Sequence, residues 1–158
     1  MRAPRKDVDR RACADAVRTT IGRREGDLQR IVEEAAAFAK APIASVSMID
    51  RDRQWFVATV GLDADEARRL DSICNRVILQ PGEPLVILDA HQQDQYANVP
   101  AVTAAPFVRF YVGISLVDRA GYALGTLSVA NTAARREAPE LTTLKRLARE
   151  AERIITNS

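Results

Sequence analysis

The chain has 158 residues, of which 47% are hydrophobic, and its 23 basic and 21 acidic side chains leave a formal net charge of +2. This composition predicts one folded domain with a sizeable core, and the small charge gives no reason to expect nucleic acid as a partner. No apolar run reaches the roughly 18 residues of a membrane span, so membrane insertion is not expected. The N-terminus lacks a signal-peptide pattern, which favours a cytoplasmic protein, and Cys13 and Cys74 are expected to be reduced thiols.

The chain begins with a basic segment, residues 1–26, which holds eight Lys or Arg side chains against four Asp or Glu. Its apolar residues are too sparse for deep burial, so we predict an arm or helix outside the fold, with the domain itself at 27–158. An amphipathic helix is predicted next, because apolar side chains recur at helical spacing and Pro42 ends the pattern. The apolar stripe consists of Leu28, Ile31, Val32, Ala35, Phe38 and Ala39.

The runs "PIASVSMID" and "QWFVATVGL" are rich in β-forming residues and flank a charged turn at residues 50–53, which predicts a β-hairpin. From residue 63 to residue 108 the pattern loosens, and we expect short helices and loops with one strand near 85–88. The sole histidine, His91, stands in a Gln-rich and Asp-rich segment, so a metal site built from several histidines cannot be assembled. No metal is expected.

A second hairpin is predicted from "FVRFYVGISLVDRAGYALGTLSVAN", residues 107–131, with its turn at residues 118–121. This turn would place Gly113 opposite Thr126 and Tyr111 opposite Ser128. One face is then apolar, with Val112, Ile114, Leu116, Ala123, Leu127 and Val129. The other face collects Tyr111, Gly113, Ser115, Thr126 and Ser128. Such a face either lines a polar cavity or is simply half exposed under a helix, and the pattern alone leaves both interpretations open.

The chain closes with "PELTTLKRLAREAERIIT", an amphipathic helix whose apolar positions alternate at spacings of three and four residues. We expect this seam to pack with the helix of residues 28–40 or with the same helix of a second chain, giving a homodimer. The seam consists of Leu141, Leu144, Ala148, Ala151 and Ile155.

Several of these segments together resemble the GAF domain family in its bacterial sensory form. The matching motifs are Asp89-Ala90, Asp94, the Tyr-Ala-Asn-Val-Pro segment at 96–100, the Arg-Phe-Tyr-Val-Gly segment at 109–113, and Gly121 with Leu-Gly-Thr-Leu at 124–127. The resemblance implies an α+β, PAS-like fold, with an antiparallel sheet of five or six strands flanked by helices on both sides. It also implies a ligand cavity between one sheet face and the middle segment.

In such a fold the candidate binding residues come from the sheet and from its cover. Tyr111, Gly113, Ser115, Thr126 and Ser128 would face the cavity from the strands. Around them we expect Tyr96 and Phe107 to close the cavity from above, Cys74 and Asn75 to lie at its side, and Arg109 to lie at its rim. Arg109 would either clamp an anionic ligand or pair with Asp89 or Asp94.

The predicted function is therefore a non-catalytic sensory or regulatory domain. It would bind a small molecule, whose identity the sequence leaves open, and transmit the signal through helices at a dimer interface to an output domain or partner. One alternative is a ligand-free dimerisation module. A second is an enzyme similar to the free methionine-(R)-sulfoxide reductases of this family, which is disfavoured because those enzymes need a resolving thiol and only Cys74 lies inside the domain. Ser128 and Asn131 stand where this subgroup often has Cys and Asp, which also argues against thiol or metal chemistry.

Overall fold

The structure is a computed structural model that describes residues 25–49, 53–62, 66–68, 73, 77, 83–104 and 107–156. All but the last two residues of the predicted arm, 1–26, lie outside the described residues. The predicted site residues Cys74 and Asn75 also lie outside them. The predictions for the arm, Cys74 and Asn75 therefore remain predictions from the sequence.

The described residues form four α-helices and six β-strands in an α+β arrangement. The helices are α1 (Glu25–Ala39), α2 (Asp94–Ala97), α3 (Pro100–Thr103) and α4 (Leu141–Thr156), and a 3₁₀ turn spans Ala90–Gln92. The strands are β1 (Ile43–Ile49), β2 (Arg53–Val60), β3 (Glu66–Arg68), β4 (Leu85–Ile87), β5 (Phe110–Val117) and β6 (Ala123–Asn131).

The strands form one sheet in the order β3-β2-β1-β6-β5-β4, and every neighbouring pair is antiparallel. The two predicted hairpins are confirmed as β1 with β2 and β5 with β6. The strand expected near 85–88 is confirmed as β4. The short edge strand β3 was not predicted, because its segment of mixed charges lacks the β-branched and aromatic residues that mark a strand.

The first face of the sheet is covered by α1 and α4, whose apolar stripes share one buried cluster with the strands. In α1 the predicted stripe is buried except for Phe38, which is 39% exposed. In α4 the predicted seam lies in the same cluster, with Leu144 buried and Leu141 half-buried against it. The seam therefore packs within the chain, against α1 and β5, which confirms the first of its two predicted partners. A small space remains between Leu144 of α4 and strands β5 and β6, and it is too small to hold a water molecule.

The second face is covered by the 3₁₀ turn, α2 and α3 through a separate buried cluster. Its members include Tyr96 of α2, Val102 of α3 and Ala90 of the 3₁₀ turn, together with Ile87 and Tyr111 of the sheet. Helices therefore flank the sheet on both sides, as predicted.

The pairing of β5 with β6 differs from the predicted register by two residues. Gly113 lies opposite Ser128, and Tyr111 lies opposite Ala130. The connection is longer than predicted because the Asp118 carboxylate accepts hydrogen bonds from the backbone N–H groups of Ala120 and Tyr122, at 2.9 and 3.0 Å. A β-bulge at residues 116–117 accompanies it. A shift of two residues keeps most side chains on their predicted face.

Ala123 is the exception to the predicted faces. The sequence predicts Ala123 on the face of Leu127 and Val129. In the structure it packs in the cluster of the second face, while its neighbour Leu124 packs in the cluster of the first. The bulge causes this change, because an extra residue reverses the alternation of side chains along the strand.

In the part of the chain that the structure describes, no helix combines the length and the apolar character needed to cross a bilayer. The cytoplasmic location stays a prediction from the sequence.

Candidate functional site

Small polar side chains occupy the centre of the second face of the sheet. We call this patch the polar face, and it consists of Ser45 and Ser47 of β1, Gln54 of β2, Ser115 of β5, and Thr126 and Ser128 of β6. Strand pairing arranges it in two adjacent rows, with Ser45, Ser128 and Gly113 in one and Ser47, Thr126 and Ser115 in the next. None of its six side chains is more than 6% exposed.

Hydrogen bonds connect the polar face across the strands. The hydroxyl oxygens of Ser45 and Ser128 lie 3.0 Å apart, as do those of Ser47 and Thr126. Gln54 Nε2 donates to Ser47 Oγ at 2.9 Å. In each hydroxyl pair either oxygen can be the donor, so rotation of a hydroxyl can redirect a hydrogen bond without moving the backbone.

Gly113 leaves space that two neighbouring side chains occupy. A Cβ atom at this position would lie 2.7 Å from Tyr111 Cε1, from the Tyr111 hydroxyl oxygen and from Val77 Cγ2. The Tyr111 ring therefore lies beside Gly113, and Val77 approaches the sheet at the same point. A glycine in the middle of this strand is explained by that close packing.

The aromatic residues predicted for the site lie in different surroundings. Tyr96 and Tyr111 are both buried in the cluster on the second face, with Val77. Tyr96 thus belongs to the layer that covers this face. Phe107 is 50% exposed and has a backbone φ of 60°, so the structure does not place it over the face that it was expected to close.

Arg109 donates hydrogen bonds from Nη1 to two backbone carbonyl oxygens, those of Val102 and Val108, each at 3.0 Å. Within the described residues it forms no ion pair with Asp89 or Asp94, the two carboxylates proposed as its partners. Its guanidinium thus links α3, at Val102, to the residues just before β5.

Three members of the polar face, Ser45, Ser47 and Gln54, are not among the residues predicted from the sequence. A signal existed for the two serines, which alternate with apolar residues in "IASVSMI" just as the small polar residues do in β5 and β6. Gln54 gave no such signal, because it is a single polar residue at the beginning of a strand.

The helix α4 is attached to β5 directly behind the polar face. Arg149 Nη2 donates to the carbonyl oxygen of Ser115 at 3.1 Å, and the N–H of Val117 donates to Glu152 Oε2 at 3.0 Å. Arg149 and Glu152 also form an ion pair with an N–O distance of 3.4 Å. These contacts are available because β4 pairs with β5 only as far as Gly113.

Within the described ranges, no three His, Cys, Asp or Glu side chains come together in the way that metal ligands would.

The sheet order, the helices on both faces and the buried polar face together define an α+β fold of the PAS-like type. A family model for the GAF domain matches residues 24–155, and the chain belongs to the GAF domain family. GAF domains are sensory and regulatory domains of signalling proteins.

Similarity extends to one curated protein and to solved structures. The chain is 37% identical over 101 residues, 64% of its length, to a cyclic di-GMP phosphodiesterase of Pseudomonas aeruginosa, and it spans only 17% of that protein. The GAF domain of an Acinetobacter phosphoenolpyruvate-protein phosphotransferase superposes with a TM-score of 0.67 at 16% identity, covering 91% of this chain and 92% of that one. The free methionine-R-sulfoxide reductase of Neisseria meningitidis, solved with its substrate, gives a TM-score of 0.67 at 13% identity over 98% and 93% of the two chains. At these identities the two structural likenesses concern the fold alone.

Proposed function

We propose that this chain is a non-catalytic GAF sensory domain that binds a small molecule at the polar face. The observation that supports the proposal is the burial of five hydroxyl side chains and one carboxamide at the centre of a sheet, where apolar side chains would pack more stably. The opposite face of the same strands is filled by apolar residues, so the sequence can supply such a core. A binding site gives a reason to keep polar groups here, because hydroxyl groups that bond to one another can redirect a hydrogen bond to a ligand.

Transmission of the signal would run through α4. Arg149 and Glu152 bond to the backbone of β5 at Ser115 and Val117, and the Ser115 side chain belongs to the polar face. A ligand that shifts Ser115 would therefore change the position of α4 through these two hydrogen bonds. We propose that α4 passes this change to an output domain or partner protein, as in a larger signalling protein of the kind that the phosphodiesterase relative represents.

A homodimer is part of the proposal, although not through the predicted seam, which is buried within the chain. The exposed surfaces of α1 and α4 remain for this contact, and they carry opposite charges. On α1, Asp27 and Glu33 are exposed, while the exposed Arg30 is paired with Glu34; on α4, Lys145 and Arg153 are exposed. A two-fold dimer that places α1 of one copy against α4 of the other would match these charges.

An enzymatic function is a weaker proposal. Sulfoxide reduction needs a thiol nucleophile and a second thiol to resolve the sulfenic acid. The polar face offers hydroxyl groups instead, and β6 carries Ser128 rather than a cysteine.

The test is whether a ligand stabilises the protein through the polar face. The purified protein is incubated with a small-molecule extract of bacterial cells, and retained masses are identified by native mass spectrometry. The compound found is then added in a thermal-unfolding assay. We expect it to raise Tm by mass action in the wild type. Thr126→Phe, which fills the polar face, should abolish the rise while circular dichroism still reports a folded protein.

The matched control is Thr142→Phe, the same substitution at an exposed position of α4, which should keep the full rise in Tm. A rise that Thr126→Phe leaves unchanged would place the ligand elsewhere. A clean dimer with no retained mass would favour the alternative of a ligand-free dimerisation module.

A further inference from the structure

Gln54 carries a buried acceptor that nothing in the described structure satisfies. The residue is 1% exposed, and its Nε2 donates to Ser47 Oγ at 2.9 Å. Its Oε1 is also buried, and it accepts no hydrogen bond from the part of the chain that is described. Leaving a buried carbonyl unpaired costs about 1–3 kcal/mol, so an unpaired group of this kind calls for a reason.

Rotating the carboxamide by 180° does not remove the unpaired group. The rotated side chain would accept from the Ser47 hydroxyl through Oε1 and would leave Nε2, with its two N–H groups, unpaired. Two buried donors without partners cost more than one acceptor does. The orientation in which Nε2 bonds to Ser47 and Oε1 remains unpaired is therefore the favoured one.

The surroundings of Gln54 Oε1 indicate what could bind to it. The described members of the polar face offer hydroxyl groups and this carboxamide but no ionised side chain, and Arg109, the cation predicted for the site, is bonded to backbone carbonyls. A charged ligand buried here would lack a counter-charge among these residues, which is unfavourable in a desolvated site. A neutral ligand with an N–H or O–H group would instead complete the hydrogen bonding of Gln54.

We propose that Gln54 is a specificity-determining residue, and that its Oε1 selects neutral small molecules that present an amide N–H or a hydroxyl donor. This inference rests on the proposed function of the polar face and adds the class of ligand. It also predicts opposite effects on stability and on binding. Removing the carboxamide removes an unsatisfied acceptor from the free protein and removes the recognition group from the complex.

The experiment compares Gln54→Met, which keeps a side chain of similar volume without the amide, with the wild type. The matched control is Gln29→Met, because Gln29 donates from Nε2 to the Thr59 carbonyl oxygen at 2.9 Å from α1 and is not part of the polar face. Two series of probes are titrated by NMR: acetamide, N,N-dimethylacetamide and acetate, and benzamide, N,N-dimethylbenzamide and benzoate. Each series keeps one framework and changes only the donor or the charge.

In the wild type we expect the primary amides to bind about tenfold more tightly than the dimethyl amides and the carboxylates, the ratio that one hydrogen bond of about 1.4 kcal/mol gives. Gln54→Met should lose this preference and should unfold at a temperature equal to or above that of the wild type. Gln29→Met should unfold at a lower temperature and keep the preference. In the wild type, amide binding should also shift the ¹³C resonance of the Gln54 side-chain carbonyl, a readout that does not depend on the folding of any variant.

Equal binding of amides and dimethyl amides, or a preference that survives Gln54→Met, would overturn the inference and leave the proposed function standing. The inference is also overturned if neither amide shifts the Gln54 carbonyl resonance, as when an ordered water stays bound to Oε1. The proposed function is decided separately by the bacterial extract and the Thr126→Phe variant, so failure of one is distinguishable from failure of the other.

Discussion

The substitution Gly113→Ala tests how tightly the cover packs on the polar side of the sheet. The added Cβ would lie 2.7 Å from two atoms of Tyr111 and from Val77 Cγ2, whereas carbon atoms in contact normally stay about 3.5–4.0 Å apart. Overpacking of this kind costs about 1–3 kcal/mol, and the lower chain entropy of alanine returns about 0.5–1 kcal/mol. We therefore expect a net loss of up to about 2.5 kcal/mol, or a fall in Tm of up to about 10 °C.

A double-mutant cycle with Val77→Ala locates the clash. Val77 is 1% exposed, and its truncation alone should cost about 1.5–3 kcal/mol. In the double variant the new methyl group at position 113 takes up part of the space that Val77 vacates, so the combined loss should be smaller than the sum by about 0.5 kcal/mol or more.

The assay is urea unfolding followed by circular dichroism, with Gly26→Ala as the control. No atom lies within 4 Å of a Cβ built at Gly26 in α1, so that substitution should stabilise the protein by up to about 1 kcal/mol. The reasoning is refuted if Gly113→Ala stabilises the protein as Gly26→Ala does, or if the losses at positions 113 and 77 are strictly additive.

Two further predictions concern the ends of the main helices. Arg135 donates to the carbonyl oxygens of Ala39 and Lys40 at 2.6 and 2.7 Å, so Arg135→Ala should lower the free energy of unfolding by about 1–3 kcal/mol in urea titrations. Arg135→Lys should recover less than half of that loss, since lysine lacks the planar fork, and full recovery would contradict the two-carbonyl contact. Hydrogen bonds from Thr142 at the start of α4 lower the pKa of Glu140 below its usual 4.5. Its carboxylate therefore stabilises the fold fully above the usual pKa of 4.5, and this stabilisation is lost as the pH falls through the lowered pKa of the folded state. Glu140→Gln should therefore lower Tm at neutral pH but not in acid. A fall in Tm that is independent of pH would disprove this prediction.

The two long helices and the two hairpins could be predicted because each must place apolar side chains at a fixed period against a common core. The resulting periodicity of apolar residues is visible in the sequence even when the packing partners of each element are unknown. The register of β5 with β6 could not be predicted in the same way. It depends on the Asp118 carboxylate, which bonds to two backbone N–H groups and lengthens the connection by a contact that leaves no periodic signal.

In the candidate site, too, residues in a periodic pattern could be predicted, whereas residues whose positions depend on individual contacts could not. Gly113, Ser115, Thr126 and Ser128 could be singled out as candidates because they interrupt strands that are otherwise apolar. The positions of Phe107 and Arg109 depend on the path of the segment between α3 and β5, where Arg109 bonds to backbone carbonyls rather than to a side chain. Every residue type has a backbone carbonyl, so the identity of a residue does not indicate that Arg109 bonds to it.

The attachment of α4 follows from the unequal lengths of β4 and β5. Among the described residues, β4 begins at Leu85, opposite Gly113, and pairs with no part of β5 beyond that point. There the carbonyl of Ser115 and the N–H of Val117 bond to Arg149 and Glu152 of α4. The side chain of Ser115 stands perpendicular to the sheet and belongs to the polar face. Ser115 thus contacts the candidate ligand site through its side chain and α4 through its backbone.

A shift of β5 that lengthens the two hydrogen bonds to α4 beyond about 3.2 Å would break them, because N–H···O contacts weaken steeply beyond that distance. The short strand β4 therefore gives the proposed sensor its connection between site and helix.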